Sequence, residues 1–401
     1  MIELNLDKEK TYLLACSFGP DSMALFQMLL DNNYRFEVAH VNYNLRDESK
    51  TETLNLSNFC REKFIKLHVL EINNWENKSN LEAKCRYIRY NFFSEVCKDN
   101  NIENVLVAHN EDDLIETYIL QKQRNSFVKF YGLNTSTIIN GVNVQRPLLK
   151  VKKIDLQIYC DKNNVPYAID KTNLESSFAR NKIRHSIVEK LDNVERQEYI
   201  KKINEENLEL NNLFYKISTV DLSLCKSFDG FSEKELCYAL NAISSKPLSK
   251  KTCLEIKKVL RSKKPNVKVP VRSNYFFFKE YGECFFAKDS DFNYEIRLKS
   301  PKIVENNFFF FDGTSDTTNR NIKNSDYPLV IRTYRKNDHY KIKDYSCSVN
   351  RLFIDWKMPL SMRQYWPIFV NKNDEIIYIP RFKKDFVITS KSNLFVKRLI
   401  R

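Results

Sequence analysis

Glycine is scarce in this chain, six residues in 401. Long flexible linkers are therefore excluded, and each glycine present is expected to mark a backbone constraint. No cysteines are spaced as Cys-x-x-Cys. Cys16, Cys60, Cys85, Cys97, Cys160, Cys225, Cys237, Cys253, Cys284 and Cys347 are scattered through apolar patterns, where a reduced thiol acts as a small hydrophobe. A disulfide scaffold and a cysteine metal cluster are excluded. No apolar run approaches the roughly 20 residues that span a bilayer, and residues 1–10 are too charged for a secretory signal. The expected setting is cytoplasmic, with no membrane partner.

Length and positive charge are what the chain does have. With 401 residues it exceeds a single ordinary core, so two or three domains are expected. Lys and Arg number 65 against 51 Asp and Glu, a net charge of +14, which favours a polyanionic partner such as nucleic acid. The surplus is uneven. Residues 331–401 hold 16 Lys or Arg and 6 Asp or Glu, a net of +10, and make the expected electrostatic footprint; a solvated basic surface is the alternative reading.

Short apolar runs alternate with amphipathic stretches over residues 11–170. Buried strands are expected at Tyr12–Ala15, Phe36–Val41, Ile65–Leu70 and Val105–Ala108, and helices at Asp21–Leu30, Thr51–Lys63, Leu81–Cys97 and Asp112–Gln123. That order predicts an α/β fold, a Rossmann-like parallel sheet covered by helices on both faces, with ligands at the carboxyl ends of the strands. Helical spacing over about 173–259 predicts a middle or connector domain. Period-two, aromatic-rich pieces over 267–330 predict strands, and a small α+β module with one helix near Met358–Tyr365 follows. The expected domains are 1–190, 191–325 and 326–401.

The densest chemical signal is Ser17-Phe18-Gly19-Pro20-Asp21-Ser22, between the first strand and the first helix. Backbone N–H groups and the positive end of the helix dipole converge there, which suits a phosphate or pyrophosphate. No Gly-Lys-Ser/Thr follows, so γ-phosphate transfer of the Walker type is not expected. An ordinary helix cap accounts for Asp21 or Ser22 but not for the whole cluster. On the helix from Leu81, Arg86, Arg89 and Tyr90 share one face, and the arginines suit a phosphate or a carboxylate; exposed helix charge is the alternative. Asp112 and Glu116 stand one turn apart beside Asp113, where they could hold Mg²⁺ or neutralise an ammonium, or simply complement the helix dipole. His109, at a strand end, is a candidate base or donor, against a capping or core role. Arg180, Arg184 and His185 form a basic cluster at helical spacing.

The loop resembles the Ser-Gly-Gly-x-Asp-Ser pattern of the PP-loop ATP pyrophosphatase superfamily, with Phe18 at the first glycine. Further stretches are similar to the tRNA(Ile)-lysidine synthetases. They are His40-Val41-Asn42-Tyr43-Asn44-Leu45-Arg46, Glu82 to Tyr90, Ala108 to Thr117, Arg146-Pro147-Leu148-Leu149, and Asp170-Lys171-Thr172-Asn173 with Arg180 to His185. Arg335 to His339 and Arg351 to Arg363 resemble that family's C-terminal module. The resemblance implies ATP bound by Ser17, Phe18, Gly19, Pro20, Asp21, Ser22 and His40. It implies catalysis by Asp21, Arg86, His109 and Asp113, and substrate contacts from Arg86, Arg89, Asp112, Glu116, Arg180 and Arg184, with Mg²⁺ on Asp21 and Asp112. The implied reaction adenylates the wobble cytidine of a tRNA(Ile) with a CAU anticodon and then joins free L-lysine at C2, forming lysidine. A PP-loop tRNA thiolase and a non-catalytic RNA binder are the rival readings, and a homodimer is left open.

Overall fold

The computed structural model describes residues 2–73, 80–125, 127–169, 179–288, 292–314, 322–342, 345–382 and 394–396. The stretch Asp170–Asn173 lies outside them. The chain divides into two compact units, Met1–Asn212 and Leu213–Arg401.

In the first unit the elements run β1 (Thr11–Ala15), α1 (Pro20–Asp31), β2 (Arg35–Asn42), α2 (Ser49–Glu62), β3 (Leu67–Glu71), α3 (Leu81–Asp99), β4 (Asn104–Val107) and α4 (Glu111–Gln123). A hairpin, β5 (Ser136–Ile139) and β6 (Val142–Gln145), then leads to α5 (Lys153–Lys162) and α6 (Ala179–Ser186). The sheet order is β3-β2-β1-β4-β6-β5, parallel except for the β5–β6 pair. All four expected strands and helices are present. Leu13, Leu14, Val38, Val105 and Leu106 are fully buried because helices cover both sheet faces, which is why these strands read as unbroken apolar runs. β1 has β2 on one side and β4 on the other, so the chain leaves it in opposite directions, and a crevice opens at its carboxyl end.

The second unit follows α7 (Asn193–Ser218), inside which the division falls. Helices α8 (Glu233–Ile243) and α9 (Lys250–Leu260) precede an antiparallel sheet of β7 (Asn266–Arg272), β8 (Tyr275–Glu280) and β9 (Glu283–Lys288). Then come β10 (Glu295–Leu298), β11 (Ile303–Glu305), β12 (Phe309–Asp312), β13 (Leu329–Thr333), β14 (His339–Ile342) and β15 (Tyr345–Ser348). The segment closes with α10 (Val349–Asp355), α11 (Leu360–Arg363), β16 (Pro367–Val370), β17 (Ile376–Tyr378) and β18 (Leu394–Val396). The helical middle region and the small antiparallel sheets after it match the expected order, with two short helices where one was expected. No helix among the described residues is long and apolar enough to cross a membrane.

Phe18 adopts φ 64°, the left-handed region that glycine enters freely. Its ring is only 3% exposed, packed in the core with Met23, Phe26 and Leu148. The backbone strain is about 1–2 kcal/mol, while removing a buried phenyl costs about 3–5 kcal/mol. Phe18→Gly should therefore destabilise the protein by about 2–3 kcal/mol despite relieving the backbone. Urea unfolding checks this, and an unchanged or higher midpoint would sink the packing argument.

Candidate active site

At the end of β1 the chain turns through Ser17-Phe18-Gly19 into α1. Gly19 is the extended N-cap, Pro20 opens the helix, and no side chain caps its first turn. Ser22 fastens the turn: its hydroxyl donates to the Gly19 carbonyl at 3.0 Å and accepts from the Ser17 N–H at 3.3 Å. Gly19 N–H donates to Ser17 Oγ at 3.4 Å. The outcome is a pinned loop whose helix dipole is left open toward the crevice.

Two cavities meet at this loop, and Ser17 and Asp21 line both. The inner one, about 260 Å³, has apolar walls from Ala39, Val41, Phe93 and Val107, with Tyr43, Arg89, His109 and Asp113 as its polar groups. The outer one, about 300 Å³, carries Arg46, Lys153, Arg184 and His185, together with Glu52 and Glu189, which lie 3.2 Å from Arg46 and 2.8 Å from His185. Apolar walls suit a ring system and a cation-lined chamber suits phosphates.

Asp21 sits at the junction with one oxygen, Oδ1, buried and lacking a hydrogen-bond partner. Burial pushes its carboxyl up to about 6; Lys153 opposes the shift and Asp113 adds to it. His109 is driven the other way. Burial first, then the charges of Arg146, Arg180 and Arg89, bring it down to about 4 against the opposing pull of Asp113. The imidazole is therefore neutral at physiological pH. Arg146 Nε donates to its Nδ1 at 3.1 Å, so that nitrogen is the acceptor and the proton lies on Nε2. Arg146 is itself buried, donating to the Asn134 carbonyl at 2.7 Å and to Thr137 Oγ1 at 3.3 Å.

The first two turns of α4 gather four acids, of which Asp113 lines the inner cavity. The Asn110–Asp113 capping box starts the helix. Arg184, from α6, binds Glu116 at 2.5 Å and Asp113 at 3.4 Å. Arg196, from α7, binds Asp112 at 2.9 Å and Glu111 at 3.2 Å and donates to the Val188 carbonyl at 2.9 Å.

Several expected residues stand elsewhere. Asp112 is buried under Arg196 and lines neither cavity, so its carboxylate is a structural anchor in this arrangement. His40 is buried behind the loop, its Nδ1 donating to the Cys16 carbonyl at 2.9 Å and its Nε2 3.0 Å from Thr53 Oγ1; it braces the loop from below. Phe18 offers the crevice its backbone only. Arg86 is exposed, its guanidinium 4.9 Å from the Tyr90 ring and off both cavity walls. Arg89 does reach the inner wall, held at 3.1 Å by the Tyr43 hydroxyl, which donates to the Cys85 carbonyl. Arg180 is exposed near His109 and Glu116, close enough to bear on both electrostatically. Lys153 and Arg196 escape a reading of local patterns because the acids they face lie 84 or more residues away in the chain, and the pairing of Arg146 with His109 spans 37 residues. No group of three or more His, Cys, Asp or Glu suited to a metal ion occurs among the described residues.

Residues 2–191 match the PP-loop domain family. The chain is 33% identical to a tRNA(Ile)-lysidine synthase from Mycoplasma mycoides, over 95% of this chain and 99% of that protein. It is 32% identical to one from Mesoplasma florum, over 89% and 94%, and 28% identical to one from Thermosipho africanus, over 98% and 95%.

The raised Asp21 carboxyl has a measurable consequence. A folded-state value of about 6 against the ordinary 3.8 means that its contribution to stability is full below 3.8 and lost as the pH rises through 6. Asp21→Asn should therefore stabilise the ligand-free protein by about 1–3 kcal/mol above pH 6, with the gain shrinking toward pH 4. Thermal melts at pH 7.5 and 4.5 test it; equal gains at both pH values would contradict the buried-charge account.

Proposed function

We propose that this chain, which belongs to the tRNA(Ile)-lysidine synthase family, uses the junction of its two cavities to adenylate a cytidine and then exchange AMP for lysine. The observation that carries this is the meeting of an uncapped phosphate-type loop, an unpaired buried carboxylate and a neutral imidazole donor within one crevice. The inner chamber takes a base and the outer chamber takes pyrophosphate against Lys153, with Arg46 and His185 on the same wall held by Glu52 and Glu189. Within the protein, a Cβ on Gly19 would meet only Ser17 Oγ at 3.5 Å, so glycine there fits close approach by a ligand.

In this reading the cytidine C2 oxygen attacks the α-phosphate of ATP and pyrophosphate leaves. The lysine ε-amine then bonds to C2, AMP departs, and the amine proton passes to solvent. His109 donates from Nε2 to an oxygen that gains charge, since its Nδ1 lone pair is already occupied by Arg146. Asp113 and Asp21 draw the lysine ammonium into line, while Arg184 holds Asp113 and Glu116 in place. Asp21 also fits a magnesium ion: its unpaired oxygen matches the one or two carboxylates that magnesium takes beside phosphate oxygens. Bound there, the ion would neutralise charge on the leaving pyrophosphate. A sulfur-transfer reading lacks its nucleophile, because Cys16, the cysteine on the inner wall, has its thiol pushed up by burial.

Radiolabelled lysine offered with a CAU-anticodon tRNA(Ile) transcript should be incorporated only when ATP is present, and elongator tRNA(Met) should stay unlabelled. Absence of labelling together with tight tRNA binding and no ATP binding would replace this reading with a non-catalytic RNA binder. Arg146→Met should lower kcat about 10- to 100-fold, the range for loss of an orienting partner, with the KM for lysine nearly unchanged. A change confined to KM would assign Arg146 to binding instead.

A further inference from the structure

From the end of α9 into β7 the second unit carries a concentration of charge that the chemistry of the crevice does not use. Residues 250–272 contain nine Lys or Arg and a single acid, Glu255. Lys258, Arg261, Lys263 and Lys264 are all exposed, and none has an ion-pair partner among the described residues. Glu233, the nearby acid on α8, is already held by Lys257 at 3.0 Å.

Cations at a helix C-terminus ordinarily need no further explanation, because they satisfy its carbonyls and its dipole. That role is filled here by another residue. Lys279, on β8 and buried, donates through Nζ to the carbonyls of Val259 at 3.0 Å, Leu260 at 2.9 Å and Ser262 at 2.7 Å. The helix end is thus capped from within, and the four exposed cations are surplus to it. The other basic segment differs in part. Among its described residues, Arg332 is paired with Asp338 at 2.7 Å, Arg335 with Glu295 at 2.8 Å and Arg351 with Asp355 at 3.1 Å, whereas the exposed Lys336, Lys341, Lys357 and Lys372 carry no ion pair but are spread singly along it. Arg363 is buried on the Met358 carbonyl. Cations already paired in the free protein gain little from a phosphate, whereas unpaired ones release counterions in full.

We infer that Lys258, Arg261, Lys263 and Lys264, at the capped end of α9, form a docking surface for the phosphate backbone of the tRNA substrate. The inference rests on the lysidine synthase reading for its partner. A backbone contact of this kind adds affinity and positions the RNA without reading its sequence.

The test uses the full chain, a CAU-anticodon tRNA(Ile) transcript and filter binding between about 50 and 200 mM salt. Two exposed-residue variants, K258A/R261A and K263A/K264A, and their combination keep the result from resting on one protein. The combined variant should bind tRNA about ten-fold or more weakly, and its slope of log affinity against log salt should fall by about 3. Its kcat for lysine incorporation at saturating tRNA should be unchanged. Lys279→Met supplies the contrast, lowering the melting temperature while leaving the salt slope alone. Unaltered affinity and slope in all three alanine variants, with wild-type lysine incorporation intact, would overturn the surface and leave the enzyme reading standing. Loss of binding to vesicles rich in anionic phospholipid, with tRNA binding unaltered, would overturn it in favour of a membrane partner. Failure of the wild-type chain to bind tRNA would remove both readings.

Discussion

Four acids within two helical turns cannot share a buried site unless cations separate them, and the site depends on how Arg196 and Arg184 do so. Arg196 takes Glu111 and Asp112, and Arg184 takes Asp113 and Glu116. The first pair fastens α7 to the start of α4 away from the cavities. The second leaves Asp113 on the inner wall. Removing either arginine would strand a buried negative charge, which costs about 3–5 kcal/mol. The stability of that corner and the presentation of its carboxylates are therefore one problem with one solution.

The crevice also depends on opposite treatment of two titrating groups. Burial holds the Asp21 carboxyl near 6, within reach of neutrality, and holds the His109 imidazole near 4, far from charge. Above pH 6 the inner chamber therefore sets an ionised Asp21 beside an uncharged imidazole, with Arg89 and Asp113 on the same walls. A neutral base can enter such a chamber and an ammonium can still be drawn to it. Arg146 contributes by choosing which imidazole nitrogen bears the proton.

Much of this was legible in the chain, in proportion to how local the physics is. The strand runs and the loop from Ser17 to Ser22 were readable because apolar period and turn chemistry act over a few residues. His40 and Asp112 were expected at the ligand from their motifs, and the structure buries both off the cavity walls, His40 behind the loop and Asp112 under Arg196. Burial and partner choice decide that, and both come from distant segments such as Thr53 and Arg196. Lys153 was missed for the same reason. Net charge over 331–401 pointed to one basic surface, but counting could not tell paired cations from unpaired ones, and among the described residues a close-set unpaired group lies at α9.

Phe18 ties the loop to the wall of the outer chamber through its backbone. Its carbonyl accepts from the Ala168 N–H at 2.9 Å, and Ala168 lines the outer cavity. A glycine-built loop can flex alone, but this one is moored by an aromatic ring on one side and by a neighbouring wall on the other. Loop and wall therefore form a single mechanical part. Drift at position 18 in sequence would be tolerated only with compensating change in the core around Phe26 and Leu148, which makes these positions an inherited unit rather than independent sites.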